Sequence, residues 1–277
     1  MQPQSDGNED LVRAAMLGDR QSVERLINTP GVEANYKSSK NSSGMTALMW
    51  AAAEGHLEIA RALIEKGADI NAKNSAGLTA LVYCFENMVN ANPRPMPAAG
   101  FPGIPGKKVP PQVQWKKETG HLGIAKILMV KGADVLVKND YNETMLHLAA
   151  KKGQTELCKL LCDRGVEIEA KNRGYGHTAM HIAAIENHPD IVEALAERGA
   201  NVNVKNVVGW TPLIWAAARG NIDAVKVLLE KNADPNIKAL ATGARGDTSQ
   251  TTALLEGRKC DSPETMSRIL VRGGANG

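Results

Sequence analysis

The chain has 277 residues, 43% of them hydrophobic and 23% charged, with a formal net charge of +3. Lys and Arg are interleaved with Asp and Glu throughout, so no long basic face is visible, which argues against nucleic acid as the main partner. No apolar run nears the ~18 residues that would insert into a membrane, the polar start MQPQSDGNED lacks a leader's apolar segment, and Cys84, Cys158, Cys162 and Cys260 are too sparse for a disulfide framework, so a reduced, intracellular setting is expected, cytoplasmic or nuclear.

In chain order, the first unit, about 8–43, is a degraded copy of the later units, with polar outward positions at Arg13, Asp19, Arg20 and Glu24. The second, 44–76, shows the pattern most clearly in GMTALMWAAAEGHLEIARALIEKGADINAKN. Thr46 is placed to cap a helix over 47–54, which is rich in Ala. Gly55 turns the chain, and 57–66 form a second helix with Ile59, Leu63 and Ile64 on one face. Gly67 ends it, and ADINAKNSAG runs out as a turn-prone tip. The Thr recurs at Thr79, Thr144, Thr178, Thr211 and Thr252, in steps of 33, 65, 34, 33 and 41 residues. Further units are therefore expected at 77–141, 142–175, 176–208, 209–241 and 250–277, the fourth starting on Asn142 where the others have Gly. No single unit can bury its apolar stripe alone, so the units must stack.

The step of 65 is one period plus a 32-residue insertion at 88–119, between the two helices of the third unit. It holds seven of the thirteen prolines, five basic residues against Glu118, and the aromatics Phe101 and Trp115. Proline blocks helix and ladder bonds, so a protruding loop is expected. Within it, Pro102, Pro105 and Lys107 fit the spacing of a polyproline ligand for an SH3-type groove, as many Pro-rich loops do. The step of 41 lengthens the tip at 239–250. Arg245-Gly246-Asp247 there resembles an integrin-binding tripeptide, for which an intracellular chain has no use.

A period near 33 with a Thr-Pro-Leu-His-x-Ala-like opening resembles the ankyrin repeats. The resemblance covers nearly all of the chain. It implies an all-α solenoid of about seven helix-turn-helix units with β-hairpin tips, capped at both ends. It also implies that His147 and His181, at the fourth position of that opening, hold neighbouring tips together. His56, His121 and His188 recur just after the turn between helices, and only His177 is irregular. No Cys/His spacing fits a zinc site. Cys158 and Cys162, four apart on a helix, are placed either to share a metal or to act as core thiols, with Cys162 in phase with the core. No phosphate-binding loop or nucleophile with base and acid is present, so no enzyme, cofactor or metal is expected.

The resemblance implies a concave face built from tips and first helices, and helical phasing points to the same residues. With Leu48, Ala51 and Ala52 inward, Trp50 and its equivalents Tyr83, Leu148, Ile182 and Trp215 form a stripe across the units. Beside them fall Phe85 with Glu86, Lys151 with Lys152, Ile185 with Glu186, and Ala218 with Arg219. Tip neighbours are Met45, Leu78, Tyr141, Glu143, Tyr175, His177, Val208 and Trp210. Seven of the ten aromatics fall on this surface, and aromatics dominate binding hot spots. The stripe equally suits packing of neighbouring first helices, whereas Trp210, Tyr141 and Tyr175 are expected to stand free at tips. The expected function is a non-enzymatic protein-interaction module, a monomeric chain that grips a peptide or partner domain in its groove. The alternative is a regulatory or targeting part of a longer protein, such as a ubiquitin-ligase adaptor, channel or enzyme. Asn71, with Leu63, Asp69 and Ile70 before it, is similar to the pattern that asparaginyl hydroxylases accept in ankyrin tips.

Overall fold

The computed structural model describes residues 4–38, 44–88, 120–240, 250–260 and 262–276. Among them the chain forms seven helix pairs: α1 (Gln4–Leu17) with α2 (Arg20–Leu26), α3 (Ala47–Glu54) with α4 (Leu57–Glu65), α5 (Ala80–Asn87) with α6 (Gly120–Val130), α7 (Met145–Lys151) with α8 (Thr155–Asp163), α9 (Ala179–Ile185) with α10 (Pro189–Glu197), α11 (Pro212–Ala218) with α12 (Ile222–Glu230), and α13 (Ala253–Gly257) with α14 (Pro263–Arg272). Each first helix leans on the next, from α1 against α3 through to α11 against α13, and the second helices form an outer row in which the α6–α8 contact is the thinnest. The arrangement is the solenoid expected, with a ribbon of core running its length.

Short-range chemistry sets the helix starts. Thr46, Thr211 and Thr252 accept the backbone N–H three residues on, at 3.3, 3.3 and 3.4 Å. Thr144 and Thr178 use a histidine instead: their backbone N–H donates to Nδ1 of His147 and His181, both at 3.2 Å. The opposite ring nitrogens reach the carbonyls of His177 at 2.9 Å and Trp210 at 3.0 Å, in the following tip. A carbonyl only accepts, so each ring is neutral with its proton on Nε2. The role expected of these two histidines is the one seen. His56 and His121 tie the other end of the first helices, bonding Met16 O at 3.3 Å and Ala53 O at 2.9 Å of the preceding unit.

In the second helices the buried set is Ile59, Ala60 and Leu63, or Leu157, Cys158 and Leu161. Cys158 is thus the core thiol, while Cys162, in the phase of Ile64, is half-buried. Among the described residues, the three non-glycine residues with left-handed backbone are all Asn (Asn142, Asn187 and Asn232), each at a phase where other units carry Gly. Asn tolerates that region best among side-chain-bearing residues. At Gly153 the constraint is double, because a Cβ would stand 2.8 Å from the His188 ring of the next unit.

The tips differ from the hairpins expected. Among the described residues there is one two-residue ladder, β1 (Ala239–Leu240) against β2 (Gln250–Thr251), and one isolated bridge, Lys138 with Thr144. In four tips an Asn side chain replaces a ladder rung. Asn74 N–H donates to Leu78 O at 3.0 Å, but the returning Leu78 N–H goes to Asn74 Oδ1 at 2.9 Å. Asn139, Asn172 and Asn206 repeat this in their own tips.

A second ladder runs from unit to unit. The side chains of Asn35, Asn71, Glu169, Asn203 and Asn236 accept the backbone N–H of Asp69, Asp134, Asn201, Asp234 and Asn276, at 2.6, 2.8, 2.8, 2.8 and 2.7 Å. Among the described residues, only from the third unit to the fourth is the phase occupied by an apolar residue, Leu136, which is 67% exposed.

Candidate functional site

The face built from tips and first helices sorts the sequence-derived candidates by position. The residue just before the left-handed tip position, Asn142 or Gly176, points out, whereas Val208, before Gly209, is half-buried. Tyr141 is 70% exposed and Tyr175 59%. The residue just after that position points in, because successive side chains of an extended segment face opposite ways. Met45, Glu143, His177 and Trp210 occupy that inward phase and are all buried, while Leu78 is half-buried. Trp210 does not stand free as expected. The next tip lies over it, its Nε1 donates to Leu240 O at 2.6 Å, and its ring packs 4.6 Å from that of Trp215. Glu143 is held by Asn139 Nδ2 at 3.0 Å.

Phe85 is fully buried and leaves the surface set. Counting from Thr79, Cys84 and Phe85 stand in the phase of Ala51 and Ala52, so the outward pair of the third unit is Glu86 and Asn87, both exposed. The stripe residues Trp50, Tyr83 and Trp215 are half-buried between neighbouring first helices, as are Lys152 and Glu186, whereas Lys151 and Arg219 are exposed. Partial desolvation lowers the Lys152 pKa and raises that of Glu86, the acid across the junction of the third and fourth units.

The structure adds residues that the sequence pattern did not single out. Val207 is 66% exposed and Leu240 52%. Backbone bonds align them with the two tyrosines: Arg173 N–H donates to Tyr141 O at 2.8 Å, Val207 N–H to Tyr175 O at 3.0 Å, and Leu240 N–H to Val208 O at 3.3 Å. Tyr141, Tyr175, Val207 and Leu240 thus make one apolar row along the tips that end the third to sixth units. The apolar pair Val207-Val208 in an otherwise polar tip was the legible signal. Lys73, Lys138, Lys171, Lys205 and Lys238 are all exposed at one tip phase, and with Arg173, Lys151 and Arg219 they make this half of the face more basic than the charge balance suggested.

Behind the row, the rings of the fifth and sixth units form a cluster. Tyr175 stacks on His177 at 5.5 Å, His177 on His181 at 5.4 Å, and Trp215 meets His177 edge-on at 5.2 Å. Burial pushes the pKa of His177 down to about 4 and that of His181 to about 3, so both rings are neutral in the fold. Asn71 is exposed in its tip, with Nδ2 on Gly132 O at 3.3 Å. No group of three or more His, Cys, Asp or Glu placed to hold a metal occurs among the described residues, and no helix there is long and apolar enough to cross a membrane. Pro102, Pro105, Lys107 and the Arg245-Gly246-Asp247 tripeptide lie outside the described residues.

The family model for ankyrin repeats in three copies matches residues 11–92 and 116–206, and the single ankyrin-repeat model matches 208–240. Among curated proteins, the chain is 27% identical over 117 residues to "Ankyrin repeat protein nuc-2" of Neurospora crassa, covering 42% of this chain and 11% of that one. It is 29% identical over 160 residues to "Probable E3 ubiquitin-protein ligase XBOS33" of Oryza sativa subsp. japonica, covering 57% of this chain and 24% of that one. The chain therefore spans a quarter or less of these relatives. Among solved structures, it matches a chain of the "Bd0816 Predatory Endopeptidase from Bdellovibrio bacteriovorus in complex with immunity protein Bd3460" with a TM-score of 0.61 and 25% identity, covering 80% of this chain and 98% of that one.

Proposed function

This chain belongs to the ankyrin-repeat family, and on that premise we propose that it is a non-enzymatic module that captures a peptide or partner domain on its tip-and-first-helix face. The observation that carries the reading is the row of Tyr141, Tyr175, Val207 and Leu240, four large apolar side chains each at least half exposed on consecutive, hydrogen-bonded tips. Scattered apolar residues are ordinary, but an aligned row rimmed by charge is the signature of an interaction surface. Lys151, Lys152, Glu186 and Arg219 are proposed as its charged rim, and Trp50, Leu78, Tyr83 and Trp215 as further contacts along the same face. Met45, Glu143, His177 and Trp210 act beneath it, as supports. His147 and His181 are already engaged in holding tips, which favours capture over catalysis. The partner is proposed to be a protein, the capturing chain a monomer, and the setting cytoplasmic or nuclear, in keeping with four free thiols. Asn71 is proposed as an acceptor for hydroxylation, its tip being exposed.

The test is differential capture. Proteins retained by the wild type are compared by mass spectrometry with those retained by a Tyr141→Ala, Tyr175→Ala double variant of equal melting temperature. Loss of a retained protein supports the reading, and identical retention overturns it. A second reading, that the chain is the targeting part of a longer protein, is favoured by its covering 24% of a relative named as a probable ubiquitin ligase. The mass of the native protein decides that point.

A further inference from the structure

Three buried polar atoms in the ring cluster have no hydrogen-bond partner: Asn206 Nδ2, Trp215 Nε1 and His177 Nε2. The junction of the second and third units shows what such a site holds when it is complete. Asn74 Oδ1 accepts from Ala76 and Leu78 N–H at 3.0 and 2.9 Å, and its Nδ2 donates to Tyr83 Oη at 2.8 Å. At the junction of the fifth and sixth units Asn206 closes the same turn, with Oδ1 accepting from Val208 N–H at 3.1 Å and Trp210 N–H at 2.8 Å. Those two bonds fix the amide orientation, so Nδ2 must face onward. Nine residues later, where Tyr83 stands relative to Asn74, the chain has Trp215. An indole N–H donates and cannot accept. Two donors therefore occupy the positions that hold a donor and an acceptor at the junction of the second and third units. Asn206 is 6% exposed and His177 8%, so bulk water does not serve them.

We propose that the junction of the fifth and sixth units is a receptor for an Asp or Glu side chain carried by an extended peptide partner. The inference rests on the reading of this face as a capture surface. The carboxylate oxygens accept from Asn206 Nδ2 and Trp215 Nε1. Arg219, which is exposed and follows Trp215 by four residues, supplies the opposite charge, with Lys205 and Arg173 on the adjoining tips. Tyr175 meets the Trp215 ring edge-on at 6.5 Å and is more than half exposed. In the proposed complex Tyr175 turns about its Cα–Cβ bond to admit the carboxylate, and its ring with Val207 receives the peptide's neighbouring apolar residue. A carboxylate satisfies both donors at once, which a single neutral carbonyl does less well.

The test uses two pooled libraries of nine-residue peptides, one with Glu fixed at the centre and one with Gln, on the full chain carrying ¹⁵N-labelled tryptophan. The Glu pool is expected to bind at least about tenfold more tightly, the worth of a charge-assisted bond, and to shift the Trp215 indole signal, assigned with Trp215→Phe. Asn206→Asp places an acceptor beside the indole within the protein. It is expected to raise the melting temperature, shift the same signal without peptide, and abolish the preference for Glu. Equal binding of both pools that is lost on Tyr141→Ala overturns the carboxylate site and leaves the capture surface standing. An Asn206→Asp variant with an unmoved indole signal, binding by neither pool, or tighter binding of a single-stranded oligonucleotide overturns the proposal outright.

Discussion

Replacing Leu136 by Asn should stabilise the stack where its tip meets the next. Five equivalent side chains accept a backbone N–H of the next unit at 2.6 to 2.8 Å. Two of them, Asn71 and Asn236, also donate Nδ2 to a carbonyl of that unit, at 3.3 and 2.9 Å. Leu136 can do neither, and at 67% exposure it buries little in return. An exposed hydrogen bond contributes about 0.5–1.5 kcal/mol net, so one or two new bonds should add about 1–2 kcal/mol. The site matters beyond its own bond. In a stacked array, stability is a sum of unit and nearest-neighbour terms, and this junction also has the thinnest second-helix contact. Urea unfolding followed by circular dichroism should show Leu136→Asn moving the transition to higher urea, with Leu136→Ala as the control that removes the leucine alone. If the two variants unfold at the same urea concentration, the inter-unit bonds do not stabilise the stack.

Burial leads to further outcomes. His181 is held neutral with its pKa pushed down to about 3 by burial, against 6.5 when free. The unfolded chain therefore binds the extra proton first, and stability falls as pH drops from about 7 toward 3, by about 2 kcal/mol per such ring between pH 7 and 5. His181→Gln should lose about that much less over the same interval, and an unchanged slope in urea titrations at both pH values would count against the neutral, cap-forming ring. Trp210→Ala and Phe85→Ala should each cost about 3–5 kcal/mol of stability, read as a drop in the urea midpoint, whereas Tyr175→Ala should cost little. Burial raises the pKa of Cys84 and Cys158. Both should resist a thiol-exchange reagent in the native protein and react only on unfolding, while Cys260 reacts first.

The solenoid was legible because its signals are local and periodic. Thr, Gly and the apolar pairs recur at a fixed step, and each has a capping, turning or packing reason to be there. The surface was less legible for two physical reasons. In a tip, which side of a residue faces water depends on strand-like alternation about the glycine and on the next unit's tip lying over it, so Tyr175 and Trp210 read alike in sequence and end on opposite sides. In α5 the Ala-Ala pair is replaced by Cys84-Phe85, which hid the phase and moved Phe85 onto the face by one residue. The unpartnered donors of Asn206 and Trp215 were beyond reach of the sequence alone, since they emerge only when the sixth unit is laid over the third.

The most direct measurement is site-specific photo-crosslinking. A benzophenone side chain is placed in turn at Tyr175 and Val207 on the tip row, and at Leu160 and Val271, which are 40% and 55% exposed on second helices. Capture through the tip-and-first-helix face requires adducts to one and the same partner from Tyr175 and Val207, and none from Leu160 or Val271. Adducts from the second helices with silence from the tips would contradict it.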